Sequence, residues 1–304
     1  MRSDREYSRD KPIGRHRIVV LGDSNTAGHG LESSERFSDL LENAYPNLDV
    51  MNFGLPGSGT DQQLLIYEEI AKRFGADAFI FAPTTHNILR NLLSLYPMGQ
   101  RTQTGGVADV QTRYWSKPYF TLNSEGLELH NQPVPNEILS EADATKLVSK
   151  EAQLRAKYEK VYGLMPRWLR KTSFLELLIR KTQYASQISE YESNSSWLLM
   201  KSILERFRED VDPKPVFFVP LPTYRVFGRG TSSAYLNRFA ELHDPSRNSF
   251  VVDVLPYFMR LSRDDRLRRI TYISDYIHYS ALGNRIIADA ISDAIAKECP
   301  QILN

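Results

Sequence analysis

The chain has 304 residues, of which 41% are hydrophobic, enough for one large core and a smaller subdomain. Its 38 Lys and Arg side chains nearly balance 37 Asp and Glu side chains, and the net charge of +1 argues against nucleic acid as a partner. Since Cys299 is the single cysteine, the chain can form neither an internal disulfide nor a cysteine metal cluster.

The first fifteen residues, 1–15, read as a charged tail without an apolar leader, and no segment approaches the ~20 apolar residues of a membrane span. These features predict a cytoplasmic protein, or an exported one whose leader has been removed. A basic amphipathic stretch at 167–181 is compatible with an anionic membrane surface, although such a stretch more often packs on its own protein. The sequence does not define an oligomeric state.

Short apolar strands alternate with amphipathic helices from residue 16 to residue 91. The strands are RIVVLG, DVMNFG and AFIFAP. The first helix, in SSERFSDLLENAYP, takes Ser33 or Ser34 as N-cap, and the second, in TDQQLLIYEEIAKRFG, takes Thr60 or Asp61 and ends at Gly75. This alternation predicts βαβ units in a parallel sheet.

The same alternation resumes from residue 212 to residue 299. It consists of the strand PVFFVPLP, a helix in SSAYLNRFAELHD, the strand SFVVDVLP and a final helix over about 282–298. The predicted fold class is α/β, a flavodoxin-like three-layer α/β/α arrangement around a central parallel five-stranded sheet. Residues 16–304 would form a single domain.

Residues 92–211 do not follow the alternation. Segments 119–121 and 127–129 flank the turn residues 123–126, which indicates a hairpin. Helical patterns follow at 140–164, at 165–182 and in SSWLLMKSILERFRED. We expect an inserted hairpin-plus-helical cap subdomain over the active edge of the sheet.

Candidate catalytic and oxyanion-binding residues follow the ends of the predicted strands. Ser24 follows the first strand, Gly57 lies in the glycine-rich loop after the second, and Asn87 comes after the third. Ligands bind at this edge of open parallel sheets. Asp275 and His278 stand three residues apart just before the last helix, so one turn can position a carboxylate and an imidazole together. Ser24, Asp275 and His278 therefore predict a catalytic triad.

These blocks resemble those of the SGNH, or GDSL, hydrolase family. Gly22-Asp23-Ser24 is similar to the family's first block, NFGLPGSGTD at 52–61 to its second, and Asp275-x-x-His278 to its last. The resemblance implies that Ser24 is the nucleophile, His278 the base and Asp275 its orienting acid. It also implies an oxyanion hole that contains the backbone N–H groups of Ser24 and Gly57.

The third block departs from the family pattern, which is usually Gly-x-Asn-Asp or Gly-Asn-Asp. Here the third strand leads into Thr84-Thr85-His86-Asn87-Ile88. Asn87 is the favoured side-chain donor to the oxyanion hole. An ungapped comparison places His86 in that position instead, and a neutral imidazole N–H can also donate to an oxyanion.

The implied activity is that of a serine esterase, which hydrolyses a small O-acyl ester without a cofactor or metal, and a carbohydrate is one candidate carrier of the acyl group. Its partner would be a small-molecule or saccharide ester. An O-acyltransferase that uses the same site and an SGNH-like binding protein with weak catalysis are the alternatives. Loop 54–60 lacks the lysine of a phosphate-binding loop, and His29, the other histidine near Ser24, has no carboxylate placed like Asp275.

Overall fold

The computed structural model describes residues 6–104, 107–136, 138–139, 190–223, 234–261, 271–273 and 277–304. The strands in these ranges are β1 His16–Gly22, β2 Leu48–Gly54, β3 Ala78–Ala82, β4 Leu95–Thr104, β5 Val107–Ser116, β6 Tyr119–Asn123, β7 Gly126–His130, β8 Ile138–Leu139, β9 Val216–Phe218 and β10 Ser249–Val251. The α-helices are α1 Phe37–Ala44, α2 Thr60–Glu69, α3 Asn87–Arg90, α4 Asn194–Val211, α5 Ala234–Ala240, α6 Leu255–Met259 and α7 Ala281–Glu298.

The central sheet has five strands in the order β10-β9-β3-β1-β2, and every neighbouring pair is parallel. In its middle, Val20 lies opposite Asn52 on one side and Ile80 on the other. This topology confirms the predicted flavodoxin-like α/β fold. All carboxyl ends of the strands therefore meet at one edge.

The two faces of the sheet carry separate hydrophobic clusters, since side chains alternate between the faces along a strand. Val19 and Leu21 of β1 pack on the side of α2 and α4. Ile18 and Val20 pack on the opposite side, which α7 covers together with α1. Helices on both faces give the three layers, and they explain why β1 reads as a continuous apolar run.

Helix α4 was predicted to belong to the cap, and it packs against the central sheet instead. Its Phe207 makes edge-on ring contacts with Tyr67, Phe79 and Phe81, at centroid distances of 4.8, 5.6 and 5.0 Å. Helix α4 precedes β9, which lies directly beside β3. It therefore serves as the crossover helix between two adjacent parallel strands.

The inserted segment contributes two small antiparallel sheets. Strands β6 and β7 form the predicted hairpin, whereas β4, β5 and β8 form a three-stranded sheet. Phe120 of β6 is buried in the cluster beneath α4. The helices predicted at 140–164 and 165–182, and the basic stretch at 167–181, lie outside the described residues. In the described ranges, no helix combines the length and apolar character needed to cross a bilayer.

Two helix starts differ from the prediction. Helix α1 begins after a 3₁₀ turn at Ser33–Glu35, so its N-cap is Arg36 rather than a serine. The N-cap of α2 is Gly59, and the Asn91 side-chain oxygen accepts a 2.8 Å hydrogen bond from the Thr60 N–H. Asn91 follows α3, so a distant residue satisfies the first turn of α2.

Candidate active site

Ser24 stands in a tight turn directly after β1. The turn is closed by hydrogen bonds from the Ala27 N–H to the Asp23 carbonyl (2.9 Å) and from the His29 N–H to the Ser24 carbonyl (3.0 Å). The Ser24 residue is 4% exposed. Its Oγ lies 2.8 Å from Nε2 of His278, which is the contact that a general base needs with its nucleophile.

His278 is positioned by its neighbours in the loop before α7. The side chain of Asn25 contacts both sides of it, donating to the Ile277 carbonyl (3.2 Å) and accepting from the Tyr279 N–H (3.1 Å). Ser280 then caps α7 by accepting from the Gly283 N–H. The structure thus joins the first and last sequence blocks through Asn25, a contact that the sequence did not predict.

Asp275 lies outside the described residues. Its predicted role, orienting His278 and stabilising the imidazolium cation, therefore stays a prediction.

Gly57 has a positive φ of 81°, in the loop between β2 and α2. The backbone carbonyl of the following residue, Ser58, accepts a 2.9 Å hydrogen bond from Arg90 Nη1. The same carbonyl oxygen lies 3.3 Å from Asn87 Nδ2. Within the described part of the chain, the backbone N–H groups of Ser24 and Gly57 have no hydrogen-bond acceptor. Both groups are therefore available to bind an oxyanion.

Asn87 has different partners from those predicted. Its side chain is fully buried, and Nδ2 lies 2.9 Å from Asp23 Oδ2 and 3.1 Å from Thr84 Oγ1. Its Oδ1 accepts from the Thr84 N–H (3.2 Å) and from Gln63 Nε2 (3.2 Å). These contacts do not support Asn87 as the oxyanion donor; its amide instead holds the carboxylate of Asp23, the residue before Ser24.

The Asp23 carboxylate is the centre of this buried cluster. It also accepts from Thr84 Oγ1 (2.7 Å) and from Arg90 Nη1 (3.1 Å), and His86 Nε2 lies 3.9 Å away. Burial would raise the pKa of Asp23, but the Arg90 guanidinium, His86 and these hydrogen bonds hold the pKa below its ordinary value. The cluster therefore keeps a buried anion at the residue next to Ser24.

Two histidines near the site have distinct surroundings. His86, the alternative donor, is 13% exposed at its side chain, and its Nδ1 lies 3.1 Å from Thr84 Oγ1. His29, which the sequence analysis set aside as a base, is exposed, and its ring lies against that of His278 with a centroid distance of 4.3 Å. The structure thus places His29 beside His278, and of these two histidines His278 makes the contact with Ser24.

No group of three or more His, Cys, Asp or Glu side chains among the residues seen in the structure is arranged to hold a metal ion. The one cysteine, Cys299, is buried at the end of α7.

Comparison with known proteins finds remote structural likenesses only. No protein-family model matches the chain, and no curated protein matches it. A solved structure from Veillonella parvula, described as a member of the lipolytic protein G-D-S-L family, is 10% identical, with 93% of this chain and 99% of that chain covered and a TM-score of 0.46.

Two further structures match to a similar degree. A lipase/acylhydrolase from Enterococcus faecalis is 13% identical, with 93% of this chain and 96% of that chain covered and a TM-score of 0.45. A variant of an acetyl xylan esterase from Geobacillus stearothermophilus is 13% identical, with 94% and 97% covered and a TM-score of 0.43. The first of these three descriptions names the family that the motifs of this chain resemble. Likenesses this remote do not assign an activity, which has to rest on the chain's own contacts.

Proposed function

We propose that the protein is a serine esterase of the SGNH type, which hydrolyses a small O-acyl ester through an acyl-enzyme on Ser24. The 2.8 Å contact between Ser24 Oγ and His278 Nε2 carries this proposal. The two unpaired N–H groups of Ser24 and Gly57 support it, because acyl transfer needs donors for the developing oxyanion.

In the proposed reaction, Ser24 Oγ attacks the ester carbonyl while His278 Nε2 accepts the hydroxyl proton. The carbonyl π electrons move onto oxygen, and the N–H groups of Ser24 and Gly57 bind the resulting anion. Collapse of this intermediate breaks the bond to the alcohol, which leaves with the proton from His278. Water then attacks the acyl-enzyme with His278 as base, which releases the acid and restores Ser24. Asp275 would orient His278 throughout.

The proposed substrate is an O-acyl ester on a carbohydrate or another small molecule. This part rests on the resemblance of the motifs. We assign β4 of the inserted segment to the substrate entrance, because its Tyr96 reaches Gly57 in the loop at 55–59, which we call the oxyanion loop. Transfer of the acyl group to a sugar hydroxyl instead of water would use the same site.

Labelling with a small fluorophosphonate tests the proposal, with intact mass as the readout. The parent chain should gain one adduct, and Ser24→Ala should gain none. His278→Ala should react at least about 100-fold more slowly, because the general base is lost. Ser246→Ala is the matched control, since Ser246 is an exposed serine that hydrogen-bonds to Asp244 within its own turn, and this variant should keep the adduct.

Folding of each variant is checked first by circular dichroism. A folded parent without an adduct, under conditions that label a serine esterase control, would overturn the esterase proposal and favour a binding protein. An adduct that persists in Ser24→Ala would show that another residue is the nucleophile.

A further inference from the structure

We infer that the Tyr96 hydroxyl is the side-chain donor of the oxyanion hole, the role that the sequence predicted for Asn87. This inference rests on the proposed esterase function. It adds a catalytic residue from the inserted segment to a site otherwise built from the central sheet.

The first step is that Asn87 has no free amide hydrogen to offer. Its Nδ2 carries two hydrogens, and three acceptors lie within 3.3 Å: Asp23 Oδ2, Thr84 Oγ1 and the Ser58 carbonyl. Turning the amide toward an oxyanion would remove a hydrogen bond from a buried carboxylate. A buried carboxylate that loses a hydrogen bond is costly, so the observed arrangement is favoured.

The second step is the position of Tyr96. This residue lies on β4, and a Cβ built on Gly57 would stand only 2.2 Å from the Tyr96 hydroxyl oxygen. The hydroxyl therefore lies directly over the α-carbon of Gly57, whose N–H is one of the two unpaired backbone donors.

The third step is that this hydroxyl is unused. Within the ranges that the structure describes, the Tyr96 hydroxyl makes no hydrogen bond, and the residue is 38% exposed. A phenol hydroxyl carries an O–H group that can donate a hydrogen bond to an anion. Hydrogen bonds of the O–H···O⁻ type are about twice as strong as bonds between neutral groups. An exposed, unpaired hydroxyl at this place fits an anionic oxygen.

The test compares Tyr96→Phe with Tyr96→Ala in fluorophosphonate labelling, because the phosphoryl oxygen of the probe occupies the oxyanion hole when Ser24 reacts. Tyr96→Phe keeps the ring over Gly57 and removes only the donor. Losing one such donor typically lowers the rate about 100- to 1,000-fold, so labelling of Tyr96→Phe should be slower by a factor in this range. For a responsive ester, kcat should fall while KM stays near the parent value.

The matched control is Tyr119→Phe. Tyr119 lies on β6 of the same inserted segment, where it stacks on His130 at a centroid distance of 5.0 Å. This variant should label at the parent rate.

The outcomes separate the two proposals. If the folded parent is not labelled at Ser24, the esterase proposal fails and the inference fails with it. If the parent is labelled and Tyr96→Phe reacts equally fast, only the inference fails, and His86 becomes the candidate donor. If Tyr96→Ala is slow while Tyr96→Phe is not, the ring packs over Gly57 without donating, which also overturns the inference.

Discussion

Two features of the structure favour glycine at position 57: its backbone conformation and the Tyr96 side chain that lies against it. Its φ of 81° lies in the left-handed region, where a side chain costs about 1–2 kcal/mol. In addition, the space that a Cβ would occupy is taken by the end of the Tyr96 side chain. A phenol ring can rotate away at little cost to stability, so we expect the second restriction to affect the reaction rather than folding.

Gly75 offers a matched comparison, because it has a φ of 58° with nothing within 4 Å of its missing Cβ. Gly57→Ala and Gly75→Ala should each lower the free energy of unfolding, measured in urea, by about 1–2 kcal/mol. Gly57→Ala alone should lose activity, by about 100-fold or more, because its methyl group displaces the Tyr96 hydroxyl. Equal activity of the two variants would show that the space over Gly57 does not matter for the reaction.

The sequence predicted the contact between Ser24 and His278 because each residue lies in a recognisable local motif. It did not predict the partners of Asn87, which come from Asp23 and Ser58, far away along the chain. Tyr96 carried no signal at all, since a tyrosine at the start of a strand is ordinary. Side-chain donors that come from separate segments are visible only once the fold brings the segments together.

At the scale of elements, a buried ion pair joins the inserted segment to the start of α2. Lys117, between β5 and β6, contacts the Asp61 carboxylate, and both side chains are almost entirely buried. Burial raises the pKa of Asp61, while Lys117 acts in the opposite direction. Because Asp61 follows the oxyanion loop closely, this pair fixes β5 and β6 relative to that loop.

Lys117→Met should therefore lower the free energy of unfolding by about 3–5 kcal/mol at neutral pH, because the variant leaves a buried carboxylate without its partner. A raised pKa means that the folded state binds the proton more tightly than the unfolded chain, so ionisation of Asp61 lowers stability as pH rises above about 4. In the absence of Lys117, the neighbouring cation that offsets the burial of the Asp61 carboxylate is lost, so ionisation of this carboxylate lowers the stability further. Urea unfolding should show a larger deficit of the variant at pH 8 than at pH 5.

The control for this prediction is the double variant Lys117→Met with Asp61→Asn. It has no carboxylate to ionise, so its deficit should be nearly the same at both pH values. A deficit of Lys117→Met that does not change with pH would contradict a role for Asp61 ionisation.

The N-cap of α2 shows why element boundaries were harder to predict than the elements themselves. Thr60 and Asp61 both had the chemistry of a cap, yet the cap residue is Gly59 and the acceptor comes from Asn91. Asp61 is instead used to pair Lys117. Local propensity identified the helix, and long-range contacts decided its first residue.

At the scale of the whole molecule, stability depends on two clusters that pack on opposite faces of one sheet. Phe207 of α4 lies at the centre of the first cluster, in contact with rings from α2 and β3. The βαβ alternation predicted both halves of the sheet. The pattern of α4 predicted an amphipathic helix, but it did not tell whether its apolar face packs on the sheet or in the cap.

Phe207→Ala should lose about 3–5 kcal/mol of unfolding free energy, because it leaves a cavity among packed rings. Leu198→Ala on the same helix is the control. Leu198 is 49% exposed, and its loss should change stability by about 0.5 kcal/mol or less. Similar values for the two variants in urea unfolding would contradict the packing of α4 on the sheet.

The position of α4 also bears on how this chain could have evolved. Because α4 completes the crossover from β3 to β9, the chain between Asn91 and Asn194 is a detour within a single βαβ unit. That detour supplies the counter-ion of Asp61 and places Phe120 in the core. A deletion of this segment would leave the buried carboxylate of Asp61 without its counter-ion. It would also leave a cavity where Phe120 packs. A shortened chain would have to replace Asp61 and refill the space of Phe120 before it could fold as well, so the insertion, once present, is difficult to lose.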